Sequence, residues 1–100
     1  MKVLLVVPEI RLDSVPYHFP FWAAILGAIA EKKGAEVGIL DLNAVRMEFD
    51  NNQIPDQMIE EEIGREDWDL IGIGGLTSTY KRIKGLTKII KRSSPKSILL

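Results

Sequence analysis

The chain has 100 residues, 46% hydrophobic and 27% charged, with a net charge of −1 and no cysteine. That balance is globular, excludes a global field for nucleic acid or an anionic membrane, and removes disulfides, thiolate metal sites and a cysteine nucleophile together. One domain is expected, in a cytosolic setting, with no apolar run near the roughly 20 residues that span a bilayer.

Lys2-Val-Leu-Leu-Val-Val7 is apolar on both faces and closed by Pro8, the pattern of a central strand in a parallel sheet. Residues 8–19 form a long first loop carrying Pro16, Tyr17, His18 and Phe19. Pro20 suits the first turn of a helix over Phe21 to Lys33, with Trp22, Ile25, Leu26 and Ile29 on one stripe and Gly34 as its stop. Glu36 to Asp41 reads as the second strand and residues 42–54 as a polar, irregular connection. A second helix opens at Ile54-Pro55-Asp56, with Met58, Ile59 and Ile63 facing inward. Asp69 to Gly74 is a third strand and Gly75 to Thr79 a short loop ending in good N-cap residues. Tyr80 to Arg92 is a third helix with Ile83, Leu86, Ile89 and Ile90 inward; Ser93-Ser94-Pro95 breaks it, and Lys96 to Leu100 begins a fourth strand.

Strands and helices therefore alternate, which predicts an α/β, doubly wound parallel sheet, flavodoxin-like (Rossmann-like) in three α/β/α layers. A five-stranded sheet of that kind needs one more helix and strand, so residues 1–100 are expected to form a single domain cut at the fourth strand, a piece of a longer chain.

In such sheets ligands lie beyond the carboxyl ends of the strands, at the point where strand order reverses. With strand order 2-1-3-4-5, that point lies between the first and third strands. The third-strand loop, Gly72-Ile-Gly-Gly-Leu-Thr-Ser-Thr79, combines glycines that let a ligand approach the backbone with hydroxyls at a helix N-terminus. Tight packing plus an N-cap explains the same residues without a ligand. The glycines do not fit G-x-G-x-x-G, which belongs after a first strand. The aromatic first loop would line a flat ligand or simply cover the end of the sheet, and a lone His18 is more often a surface residue than a base.

Seven of the thirteen basic residues fall between Lys81 and Lys96, with no acid among them, while Glu60 to Asp69 is acidic. Solvated faces of neighbouring helices are the plain reading and a docking surface for another domain the sharper one; lysines without interleaved aromatics do not suggest nucleic acid. A phospho-acceptor receiver domain needs paired acids after the first strand and an aspartate after the third. The first loop offers only Glu9 at that point, and Gly75 to Thr79 has no acid. Nor is Pro8 to Asp13 the hydroxyl-rich phosphate loop of a flavodoxin. The residues alone describe a binding module more readily than a complete catalyst.

The segments Lys2 to Pro8, the Ala-rich helix after Pro20, Lys33-Gly-Ala-Glu-Val37, Ile39-Leu-Asp-Leu-Asn43, Trp68-Asp-Leu-Ile-Gly-Ile73 and Leu76-Thr-Ser-Thr-Tyr80 stand in an order and spacing that resemble the N-terminal cobalamin (B12)-binding domain of B12-dependent radical SAM enzymes. The likeness covers nearly the whole chain, and the anaerobic magnesium-protoporphyrin IX monomethyl ester cyclases and their relatives look most similar among its members, with the methyltransferase and the hopanoid- and lipid-modifying branches as alternatives. It implies a corrin ring over the strand carboxyl ends and a nucleotide tail between strands. Pro8, Glu9, Gly74, Gly75, Leu76, Thr77, Ser78 and Thr79 would be the cofactor contacts. The motif D-x-H-x-x-G is absent, since Asp13 and His18 are five apart with no glycine to follow. The resemblance thus implies cobalamin held base-off, without a histidine ligand from this domain. The [4Fe-4S] cluster and S-adenosylmethionine would sit in a separate downstream domain of the same chain, and this domain alone would catalyse nothing. A scaffold that packs on a catalytic domain, and a nucleotide- or phosphate-binding module, are the alternatives.

Overall fold

The computed structural model describes residues 1–8, 21–49, 53–74 and 80–99. Four strands form one all-parallel sheet in the order β2-β1-β3-β4: β1 Lys2–Val7, β2 Glu36–Asp41, β3 Leu70–Ile73 and β4 Ile98–Leu99. This is the start of the flavodoxin-like order, and the expected α/β class holds. β1 is central, paired to β2 from Lys2↔Glu36 to Val7↔Asp41 and to β3 from Val3↔Leu70 to Val6↔Ile73. Flanked by strands and covered on both faces, its five residues Val3 to Val7 are all buried. That is why its sequence is continuously apolar rather than alternating.

Side-chain alternation sorts the core into two layers. Leu4 and Val6 join Ile71 and, from the helices, Ile59, Ile63, Leu86, Ile89 and Ile90. Val3, Leu5 and Val7 meet Ala23 on the other face. The first layer belongs to helices α3 (Asp56–Gly64) and α4 (Tyr80–Ser93), which pack against each other; the second belongs to α1 (Phe21–Lys32). At about 1.5–3 kcal/mol for each fully buried large aliphatic side chain, the α3–α4 layer supplies more of the stabilisation.

α1 is the first place where the structure departs from sequence expectation. The stripe of Ile25, Leu26 and Ile29 does not face the sheet; these side chains are 58%, 51% and 50% exposed. The helix turns Ala23 and Gly27 inward instead, and both are buried. A side chain at Gly27 would press on Val37 and Leu5. Small residues let the helix axis approach the sheet, and a helix apolar all round gives no periodicity from which to choose the inward side. Gly34 ends the helix with φ of 95°, as its left-handed position requires.

The second departure is the connection after β2. Residues expected to be irregular form helix α2 (Leu42–Val45) and a 3-10 turn (Arg46–Glu48). Asp41 caps α2, its Oδ1 accepting from Ala44 N at 3.2 Å. Leu42 joins the core with Ile54, and Asn43 and Arg46 are buried beside it. Short polar side chains there satisfy backbone and one another, so polarity did not mean solvent.

The remaining elements follow expectation. α3 buries Ile59 and Ile63, and α4 buries Leu86, Ile89 and Ile90. The basic stretch of α4 meets the acidic stretch of α3 directly: Arg92 donates to Glu60 Oε1, and Arg82 lies 4.0 Å from Asp56. The two charge runs are, at these points, facing flanks of adjacent helices. Ser97 Oγ donates to the Trp68 carbonyl and ties the start of β4 to the start of β3. No helix among the described residues is long and apolar enough to cross a membrane.

Candidate functional site

With β2 to one side of β1 and β3 to the other, the switch point lies between β1 and β3. The residues that follow these strands are Pro8 and Gly74. Pro8 is fully buried, and Gly74 is half-buried. The two strands are paired as far as Val6↔Ile73, so the structure brings these two expected site residues to adjacent strand ends.

The described part of this switch point is built around a ring and a glycine. Trp22, at the first turn of α1, is half-buried and packs against the Val3, Leu5, Val7 and Ala23 layer. Its benzo edge lies over Gly74: a β-carbon on Gly74 would stand 3.2 Å from both Cη2 and Cζ2 of the indole. One pleat lower on the same face, a β-carbon on Gly72 would stand 3.1 Å from Leu5 Cδ2. Gly72 in β3 and Gly74 just after it therefore have one role that sequence left undecided: they admit Leu5 and α1's tryptophan to the sheet surface. The space over Gly74 is the indole's own.

On the opposite side of the strand ends, Arg46 is 0% exposed and its Nε donates to Asn43 Oδ1 at 3.1 Å. A guanidinium stays charged wherever it is placed, so full burial requires hydrogen-bond partners around it. Sequence reasoning passed over this pair because it sits in a segment read as irregular. The signal available was Asp41 followed by Asn43 and Ala44, a capped helix start directly after a strand.

Glu9, Gly75, Leu76, Thr77, Ser78 and Thr79 of the expected cofactor contacts lie outside the described residues, as do Tyr17, His18 and Phe19 of the aromatic loop. Among the described residues no group of three His, Asp or Glu side chains converges as a metal site would need. No family model, no curated protein and no solved structure matches the chain.

Proposed function

We propose that this chain is a cobalamin-binding-like domain of the kind that precedes a radical SAM domain, holding base-off cobalamin at the β1/β3 switch point and catalysing nothing by itself. The observation that supports the reading is the meeting of buried Pro8, side-chain-free Gly74 and the Trp22 ring at the carboxyl ends of two adjacent parallel strands. Ligands of doubly wound sheets bind at this position.

The described residues fit such a group in kind. Half-buried Trp22 offers aromatic surface and Gly74 side-chain-free backbone, while Pro8 is fully buried and closes the end of β1 beneath them. They fit its nucleotide tail only with movement, because the indole fills the volume above Gly74. Trp22 would have to swing from the sheet for a tail to pass beside β3. Pro8, Gly74 and Trp22 would then border the group, together with the expected contacts from Glu9 and from Gly75 to Thr79. When bound, cobalamin would supply a cobalt centre for methyl-group or one-electron chemistry, with the iron–sulfur and S-adenosylmethionine chemistry in a cysteine-bearing domain elsewhere. The setting proposed for the whole protein is the cytoplasm.

The test is titration with hydroxocobalamin, followed by the visible spectrum and by retention on gel filtration. Trp68→Phe makes Trp22 the single fluorescent tryptophan, since the chain has two. Retention of the corrinoid with a change in Trp22 emission is expected. A chain that retains none, in wild type and in Trp22→Ala alike, rejects cobalamin.

A second reading, a scaffold packed on a catalytic domain, is favoured by the half-exposed Ile25, Leu26 and Ile29 on α1. Large apolar side chains exposed side by side on one helix can mark an interface. Leu26→Glu with Ile29→Glu would then abolish co-purification with that domain while leaving corrinoid retention unchanged.

A further inference from the structure

β2 is an outer strand of the sheet, and its free edge carries more than unpaired backbone. Glu36 N donates to Met1 O at 2.9 Å, and the register continues unbroken from Lys2↔Glu36 to Val7↔Asp41. In a parallel ladder the N–H and C=O of one residue point to the same neighbour and those of the next point away. Glu36, Gly38 and Leu40 therefore face β1, and the N–H and C=O of Val37 and Ile39 face outward. Among the described residues nothing pairs with them. Edge strands are usually blunted by proline, lysine, a bulge or brevity. β2 has six residues, no proline and no lysine.

Both faces beside this edge are prepared for side chains. On the α1 face Ile39 is 48% exposed. On the α3 face lies a cavity of about 230 Å³, floored by Leu4, Gly38 and Leu40 and walled by Trp68. An apolar cavity of about 150 Å³ holds benzene, so this one has room for a large aliphatic side chain. Trp68 is fixed there by its Nε1, which donates to Ile63 O at 3.1 Å. Gly38 is what makes the shelf, since a β-carbon there would stand 2.8 Å from Trp68 Cη2. The rim leans acidic: Glu62 and Glu66 line the cavity and Glu36 is 77% exposed at the start of the strand, against two cations, Arg65 and Lys2, the latter 4.0 Å from Glu36 and 3.4 Å from Glu66. Arg65 is already paired with Glu62 at 3.0 Å.

From these features we infer that the β2 edge is a strand-docking site for an extended, basic peptide segment of another protein. A strand added about 4.8 Å beyond β2 would bond Val37 and Ile39 and place alternate side chains on opposite faces. Those on one face enter the cavity beside Gly38 and Leu40; those on the other cover Ile39. Cationic residues flanking the apolar ones answer the acid that Glu36, Glu62 and Glu66 hold in excess of Lys2 and Arg65, whose exposed pairs are weak and exchangeable. A second copy of β2 is the poorer occupant, because Glu36 and Asp41 end the strand and antiparallel self-pairing brings acid toward acid.

The test uses the full chain and a fluorescein-labelled short peptide alternating lysine with valine or leucine. The same peptide with glutamate for lysine, and with proline at alternate positions, provides the controls. Anisotropy is expected to rise for the lysine peptide only, with the amides of Val37 and Ile39 shifting in two-dimensional NMR. Ile39→Pro removes one outward N–H without touching the β1 ladder, which an edge position tolerates. It is expected to weaken binding about tenfold, the order of one or two lost hydrogen bonds. Glu62→Lys with Glu66→Lys is expected to weaken it similarly. Equal binding of the lysine and glutamate peptides, unchanged binding by a folded Ile39→Pro, or no shift at Val37 and Ile39 in the wild-type chain overturns the inference. So does sedimentation equilibrium showing a dimer whose edge amides are already protected.

Discussion

Gly38→Ala sets two physical rules against each other. By backbone entropy alone, alanine in a strand interior should stabilise by about 0.5–1 kcal/mol relative to glycine. The structure demands the opposite sign. The new β-carbon would lie 2.8 Å from Trp68 Cη2, well inside van der Waals contact. The indole is rigid, and its Nε1 bond to Ile63 O fixes it at the other end. Relief requires the ring to tilt and that bond to lengthen. Overpacking of this kind costs about 1–3 kcal/mol, and a weakened hydrogen bond adds up to about 1. After the entropic gain is set against these, the net loss lies between about 0 and 3.5 kcal/mol, and the middle of that range, about 1–2 kcal/mol, is the expected value. For a domain of this size that is roughly 5–15 °C in Tm. Urea denaturation followed by far-ultraviolet circular dichroism measures it. In a Trp68→Ala background the obstacle is gone, and Gly38→Ala should become neutral or stabilising. Gly38→Ala that is neutral or stabilising with Trp68 in place would refute the argument, and so would an equal loss in both backgrounds.

Three further outcomes follow from residues already described. Asn43→Ala leaves the buried Arg46 Nε without that acceptor and should cost about 1–3 kcal/mol by chemical denaturation. Gly34→Ala places a side chain at φ of 95° and should lower stability by about 1–2 kcal/mol, although nothing lies within 4 Å of the new atom. Arg92→Gln removes an exposed ion pair with Glu60 and should change stability by no more than about 1 kcal/mol, with the difference fading in high salt.

Sheet class and strand positions were legible because β1 and the inward face of α4 carry unmistakable patterns. A run of five buried aliphatics has few alternatives, and Leu86, Ile89 and Ile90 fall at helical spacing over a core they reach. α1 was legible as a helix but not in its facing, since a segment such as Phe-Trp-Ala-Ala-Ile-Leu-Gly-Ala-Ile-Ala is apolar on every side. Only the need for close approach at Val37 and Leu5 selects the Ala23 and Gly27 side. The residues after β2 misled for the converse reason. Asn43 and Arg46 are polar and yet buried, their hydrogen bonds local, so hydropathy pointed outward while the chain turned in. For the switch point, sequence located Pro8 and Gly74 at strand ends but had no means of seeing that Trp22, across the long first loop, would lie over Gly74. Nor does hydropathy mark a strand edge: Val37 and Ile39 read like any buried pair.

The central place of β1 also bears on how the chain is made. β1 is translated before either of its partners, and its far neighbour begins only at Leu70. At roughly 5–20 residues per second, the interval between Val3 and Leu70 is roughly 3–13 s. Through that time the most apolar segment of the protein has one flank open at best, and pairing across so long a stretch of chain is slow in itself. The strand that is most secluded in the finished fold is therefore the one whose second flank waits longest for its partner while the fold is being built.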